Sequence, residues 1–291
     1  MKLHDDELEI NDNLVRNLIC EQFPKFSTLP IKNLNSTGTD HNIYHLGSKM
    51  CIRLPRTSDA AKQVEVEQYW LPKFTNLPLE IPTPIGHGSP TDSYPLPWSI
   101  YNYIEGENTT ITDISTSRDS AINLAKFLKS FQAIKTDGAH FCRRGSPLQT
   151  QDSEVRSAIK SLSDEIDTDI VLKLWETCLI APKYSGQPVW IHGDLLPSNL
   201  IAKNGILSAI IDFGLMGIGD PACDLLPAWS IFGSDARNIF RQNMQIDDAT
   251  WARGIGWALA ISLTIIPYYR VTNPSITKIA RRMLLEILSE K

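Results

Sequence analysis

The chain lacks the cysteine spacing, the positive charge and the long apolar run that mark several large protein classes. Its five cysteines (Cys20, Cys51, Cys142, Cys178 and Cys223) are scattered, odd in number and without a Cys-x-x-Cys pair. That argues against a disulfide framework or a zinc site and for a reducing, cytoplasmic setting. A net charge of -5 gives no electrostatic footprint for nucleic acid or an anionic membrane. Met1 to Asn13 is acidic and polar, with no apolar signal core. The apolar run Trp257 to Ile266 is too short to span a bilayer and reads as a buried helix. There is no internal repeat and no low-complexity segment. What is present is 291 residues, 42% hydrophobic and 21% charged, a globular composition with a sizeable core in one large or two modest domains.

Against this background one stretch stands out, Val189-Trp-Ile-His192-Gly193-Asp194-Leu-Leu-Pro197-Ser-Asn199, followed by Ile210-Ile-Asp212-Phe213-Gly214. Each runs from an apolar β-type segment into a polar loop, so Asp194, Asn199 and Asp212 sit where strands end and loops begin. That set suits phosphoryl transfer. One carboxylate orients and deprotonates a hydroxyl, and an amide oxygen with a second carboxylate holds magnesium. Magnesium prefers hard oxygen ligands and keeps several waters, so a pair of protein oxygens plus nucleotide phosphates suffices. The plain alternative is an ordinary turn, since Gly-Asp and Pro-Ser-Asn are turn chemistry, but a turn does not require the downstream strand and Asp-Phe-Gly.

His-Gly-Asp-x-x-Pro-x-Asn followed by Ile-Asp-Phe-Gly resembles the aminoglycoside phosphotransferase family, small-molecule kinases with a protein-kinase-like fold. Gly193 stands where protein kinases carry Arg, which favours the small-molecule branch. The resemblance implies an α+β, two-lobed fold. Residues 1–105 would form a nucleotide-covering lobe with an antiparallel sheet and helices, ending in a hinge. Residues 106–291 would form a mainly helical lobe with the catalytic loop and acceptor site. It further implies Asp194 as catalytic base, Asn199 and Asp212 as Mg2+ ligands, ATP or GTP as donor, and Asp224 as a brace behind the catalytic loop. His192 is expected to brace that loop as well. The expected partners are a nucleoside triphosphate and a small hydroxyl-bearing substrate, with neither nucleic acid nor membrane.

Upstream, Leu14 to Gln22 has helical spacing after an Asn-Asp-Asn start. Ile31 to Asn35, Ile43 to Leu46 and Met50 to Leu54 read as short strands. Ser36, Thr37 and Gly38 lie in the first hairpin loop, which either lays backbone N–H groups over phosphates or is a plain turn. Arg53 shares a strand face with Cys51. It stands where kinases place a phosphate-gripping lysine, and it keeps the charge on a longer, planar group. A surface arginine is the alternative. Lys62 to Phe74 reads as a helix. Glu65 and Glu67 compete there to pair with the cation at position 53, and Glu67 fits the family spacing better. Asn102, Tyr103 and Ile104 end an aromatic strand, Trp98 to Ile104, and by resemblance lie near the base. Tyr101 and Tyr103 are equally readable as core.

Downstream, Asp119 to Ile134 reads as a buried helix, Phe141 to Pro147 as a basic loop, and Gln151 to Ile180 as an acidic helical region. Asp220-Pro221 is a capped helix start. Trp251 to Ile266 and Ser275 to Leu288 read as helices joined at Pro267 to Arg270. The acceptor stays open. Aminoglycoside- or macrolide-type antibiotics head the possibilities, followed by housekeeping metabolites such as choline, homoserine or amino sugars. A catalytically silent nucleotide-binding relative is the remaining alternative.

Overall fold

The computed structural model describes residues 8–34 and 40–290. The chain groups into two compact units. The smaller comprises Met1–Asn76, Glu80–Glu105 and Ala209–Gly214, and the larger Leu77–Leu79, Gly106–Ser208 and Leu215–Lys291.

In the smaller unit, helix α1 (Asp12–Gln22) begins where the Asn11 side chain accepts from Leu14 N–H at 3.0 Å. Strands β1 (Ile31–Leu34), β2 (His41–Leu46) and β3 (Met50–Pro55) follow, then helix α2 (Ser58–Trp70) and strands β4 (Pro84–Gly88) and β5 (Trp98–Asn102). The sheet is antiparallel in the order β1-β2-β3-β5-β4. Strand alternation puts Ile52 and Leu54 of β3 into a core with Tyr44, Trp98, Ile100 and the Val15, Leu18 and Ile19 face of α1. Burial of these side chains contributes about 2 kcal/mol each.

Helix α2 starts four residues before the expected Lys62. The side chain of Thr57 accepts from Ala60 N–H at 3.2 Å, a cap that apolar spacing does not reveal. It also ends at Trp70, short of the expected Phe74. Pro72 bars continuation, and a 3-10 turn over Leu71–Lys73 takes over. β5 likewise stops at Asn102 and not at Ile104.

The larger unit contains β6 (Glu107–Asn108), α3 (Arg118–Gln132), α4 (Asp152–Ser161), α5 (Thr168–Leu179), β7 (Val189–Ile191), β8 (Leu200–Lys203), β9 (Ile206–Ile210), β10 (Gly217–Gly219), α6 (Pro227–Ser230), α7 (Ser234–Met244), α8 (Asp248–Tyr269) and α9 (Pro274–Ser289). The short strands pair as β6-β8-β9 and as antiparallel β7-β10. Asn204 and Gly205, with φ of 54° and 76°, make the tight turn between β8 and β9. Ala209–Gly214, the end of β9 and the loop after it, is counted with the smaller unit. Phe127, Phe131 and Trp190 stack where α3 covers β7.

The helical region over Gln151 to Ile180 consists of two helices, as a junction within it implies. Asp167 caps the second, accepting from Ile170 N–H at 3.0 Å. α8 is longer than expected and runs through Pro267 to Tyr269. Proline keeps a helical φ and removes one backbone donor, so α8 runs on for two more residues although its buried face ends at Ile266. The break falls instead before Asn273, whose side chain accepts from Ile276 N–H at 3.3 Å and caps α9. By length and composition α8 is the one helix among the described residues apolar enough to cross a membrane, but 67% of its most apolar window is buried inside the fold. All five cysteines are free thiols.

Candidate active site

In the smaller unit the chemistry gathers around Arg53. β3 delivers its guanidinium onto α2, where Nη1 donates to both Glu67 oxygens at 2.8 Å. Its Nη2 donates to Asp212 Oδ1 at 2.7 Å. Glu67 takes a further bond from the Tyr101 hydroxyl at 2.6 Å. The Arg53 and Glu67 side chains are 10% and 2% exposed, so this is a desolvated ion pair and not a surface one. Glu65 lies outside the cluster and pairs with His87 at 3.1 Å.

His41 also lies against Arg53, with Nδ1 3.4 Å from Nη2. Burial, then the adjacent guanidinium, push its pKa down to about 3, so its ring is neutral. Burial disfavours the charged form of Arg53, but Glu67 and Asp212 outweigh it and raise its pKa. Asp212 adopts a left-handed φ of 65°, a conformation that Asp tolerates better than most residues.

Asn102, Tyr103 and Ile104 are in the same unit. The Asn102 side chain is held by the 80–83 segment: its oxygen accepts from Thr83 N–H at 2.6 Å, and its amide donates to Glu80 at 3.1 Å. Tyr103 N–H donates to Lys49 O at 2.8 Å, and its ring sits 4.2 Å from that of His45. Ile104 is 9% exposed. Tyr101 is core, 1% exposed. Ser36, Thr37 and Gly38 lie outside the described residues.

In the larger unit the loop after β7 carries the second cluster. Asp224, fully buried, accepts from His192 N–H at 2.7 Å and Gly193 N–H at 2.8 Å. Burial raises its pKa, opposed by His192 and these N–H bonds. His192 Nδ1 in turn accepts from Asp194 N–H at 3.2 Å. The turn needs glycine at 193. Its φ is 79°, and a Cβ would meet Leu215 O at 3.0 Å and Cys142 Sγ at 3.1 Å. Asn199 ends a 3-10 turn begun by Pro197. Its amide nitrogen donates to Asp194 O at 2.8 Å and to Asp194 Oδ2 at 3.0 Å.

The other Asp194 oxygen is held by a residue that the sequence pattern does not single out. Arg144 Nη1 donates to Asp194 Oδ1 at 2.5 Å and to Gly193 O at 2.8 Å. Arg144 comes from the basic 141–147 loop, which β10 fixes by backbone bonds: Cys142 N–H to Ile218 O at 3.0 Å and Asp220 N–H to Gly145 O at 3.0 Å. Gly145 and Gly219 touch backbone to backbone there. A Cβ on Gly219 would lie 2.5 Å from Gly145 Cα. Asp220 caps the following turn and takes Arg253 of α8 through both oxygens, at 2.6 and 3.2 Å. Arg144 is separated from Asp194 by fifty positions, and the only hint of it in the sequence is the local basic charge. His41 carries no signal beyond its place in a strand.

The Asn199 amide nitrogen is turned to Asp194, and its oxygen lies 3.4 Å from the Ser198 hydroxyl. Among the described residues no group of three or more His, Cys, Asp or Glu makes a dedicated metal cage.

A family model described as "Phosphotransferase enzyme family" matches residues 33–257. No curated protein sequence matches the chain. The solved structures similar to it include the GDP complex of wild-type aminoglycoside 2'-phosphotransferase-IIIa, with 18% identity and a TM-score of 0.74 over 97% of this chain and 100% of that one. A GDP and kanamycin complex of a related aminoglycoside enzyme has 18% identity and a TM-score of 0.72, over 95% of this chain and 99% of that one. Macrolide 2'-phosphotransferase MphH from Brachybacterium faecium has 18% identity and a TM-score of 0.64, over 93% of this chain and 97% of that one. At these identities the likeness is one of fold.

Proposed function

The chain belongs to the phosphotransferase enzyme family, and from that premise we propose that it moves the γ-phosphoryl group of ATP or GTP to a hydroxyl of a small molecule of aminoglycoside or macrolide type, in a reducing cytoplasm. The observation that carries the reading is the braced loop after β7, where Asp194 is held by Arg144 on one oxygen and by Asn199 on the other. A carboxylate fixed at both oxygens is preorganised. Its remaining lone pairs accept a hydrogen bond from the acceptor hydroxyl and align that oxygen with the γ-phosphorus. As the new P–O bond forms, the bond to the β-phosphate oxygen breaks and the hydroxyl proton passes to Asp194. The transition state is loose, so positioning and charge neutralisation matter more than proton removal.

Asn199 and Asp212 would hold magnesium, which when bound offsets the charge on the transferred and leaving phosphates. Arg53 is engaged by Glu67 and Asp212. Its role in this proposal is to hold the Asp212 carboxylate and to add positive charge beside it. Asp224 and His192 keep the loop in shape. The presence of Asp194, Asn199 and Asp212 together supports an active enzyme over a silent relative.

The test is nucleoside diphosphate release with each nucleotide across aminoglycosides, macrolides and small amino alcohols. Asp194→Asn is expected to lower acceptor-dependent turnover by about 10²–10⁴-fold, with unchanged thermal unfolding. An Asp194→Asn enzyme that keeps wild-type turnover refutes the assignment.

A further inference from the structure

Position 53 carries arginine where kinases place lysine, and its surroundings show what the difference does. Nη1 donates to both Glu67 oxygens at 2.8 Å, and Nη2 donates to Asp212 Oδ1 at 2.7 Å. One guanidinium thus spans two carboxylates, one from α2 and one from the loop after β9, all counted within the smaller unit. A lysine nitrogen would stand where arginine has Cζ, one bond short of both acceptors. It would also have to divide the donors of a single atom between them.

The register of β3 on β5 places Ser99 opposite Arg53 and Tyr101 opposite Cys51, so these four side chains share one face of the sheet. The Tyr101 ring centroid lies 5.7 Å from Arg53 Cζ, within reach of a cation–π contact. Its hydroxyl donates to Glu67 Oε2 at 2.6 Å. Burial, then the Glu67 charge, raise the pKa of this phenol, so it stays protonated and donates. Tyr101 therefore touches both members of the buried pair, the cation through its ring and the carboxylate through its hydroxyl. Gln68 of α2 donates to Ser99 Oγ at 2.9 Å and to Gly86 O at 3.1 Å, which ties the helix to β5 and β4 beside the pair.

We infer that Tyr101 is a positioning residue for phosphoryl transfer: acting through Glu67 and Arg53 it fixes the Asp212 carboxylate, in a socket that admits arginine and not lysine at position 53. The inference rests on the reading of Asp212 as a metal ligand in a phosphotransferase. Without the Tyr101 hydroxyl, the Glu67 carboxylate is free to turn about its last bond. The guanidinium follows it, and the Asp212 oxygen bonded to Nη2 moves with the guanidinium. Lysine at position 53, the residue of active kinases, is here a loss and not a repair.

The test measures diphosphate release by Tyr101→Phe and Arg53→Lys, together with nitrogen-edited NMR of the guanidinium N–H groups in the nucleotide-free full chain. Tyr101→Phe keeps the ring and its packing, and is expected to lower kcat about three- to tenfold with the nucleotide KM little changed. Arg53→Lys is expected to lower kcat about 10–100-fold, the range for side chains that hold metal ligands in place. The Arg53 Nη protons, identified by their absence in Arg53→Lys, should be resolved and slow to exchange in the wild type. In Tyr101→Phe they should merge or exchange faster. Unchanged kcat or unchanged Nη signals in Tyr101→Phe, or Arg53→Lys turnover equal to wild type, overturns the inference. A chain without Asp194-dependent turnover removes the kinase reading and the catalytic half of the inference with it, while the Nη signals still decide the socket.

Discussion

Glu67→Ala is the most direct probe of the buried ion pair behind Asp212. The change leaves Arg53 with a buried guanidinium and only Asp212, whose side chain is 37% exposed, as counter-charge. Removing one partner of a buried pair costs about 3–5 kcal/mol, because the remaining charge stays desolvated. The Tyr101 hydroxyl, which donates to Glu67 at 2.6 Å, loses its acceptor as well and adds about 1 kcal/mol. Glu67→Gln keeps one acceptor oxygen for Arg53 and should cost about half as much as Glu67→Ala. The double change Arg53→Met with Glu67→Leu removes both charges, fills the space with apolar side chains, and should return to within about 1–2 kcal/mol of wild type. Urea unfolding followed by Trp98 and Trp70 fluorescence, with each single variant and the double in one cycle, gives the coupling energy. A coupling of at least about 2 kcal/mol is expected. A Glu67→Ala loss below about 1 kcal/mol, or strictly additive changes, would mean that the pair is solvated in solution and the reasoning is wrong.

Other outcomes follow from the same geometry. The pKa of His41 is lowered to about 3, so the unfolded chain binds its extra proton between pH 6.5 and about 3. This contribution is fully present above pH 6.5 and is lost as pH falls, at up to about 1.4 kcal/mol per pH unit. The pH–stability slope of His41→Gln should be shallower than wild type in that window, and equal slopes would count against a buried neutral imidazole. Asp224→Ala strips the acceptor from the His192 and Gly193 N–H groups and should cost about 1–3 kcal/mol for each unsatisfied group. Hydrogen exchange at residues 192 and 193 should rise with it. Gly193→Ala strains a φ of 79° and presses a methyl on Leu215 O. About 1–3 kcal/mol of stability should be lost, and a thermal midpoint equal to wild type would show that the turn can relax.

The residues read most directly from the sequence are those whose structural task is local. The two strand-to-loop stretches around Asp194 and Asp212 are written in consecutive letters, and β1, β2 and β3 show in short apolar runs bounded by turn residues. Glu67 is separable from Glu65 in the sequence only through the spacing that the family resemblance supplies. Helix ends were less legible, since Thr57, Asp167 and Asn273 act as caps through a single side-chain bond that hydrophobic periodicity does not register. The Pro267 boundary misled because proline's fixed φ is itself helical, so α8 runs two residues past it despite the lost backbone bond. Arg144 was illegible for a different reason. Its partner is fifty positions away, and only the pairing of β7 with β10 brings its loop to Asp194.

The crossing of Gly145 over Gly219 also bears on how this enzyme can change. Neither position has room for a side chain, and both are anchored by the Asp220 N–H to Gly145 O bond. The crossing is a fixed pivot carrying Arg144 on one arm and the Asp220–Arg253 pair on the other. Directed evolution toward new acceptors should therefore accumulate replacements along α4 and α8 while leaving 145 and 219 as glycine, so that substrate range drifts around an immobile hub.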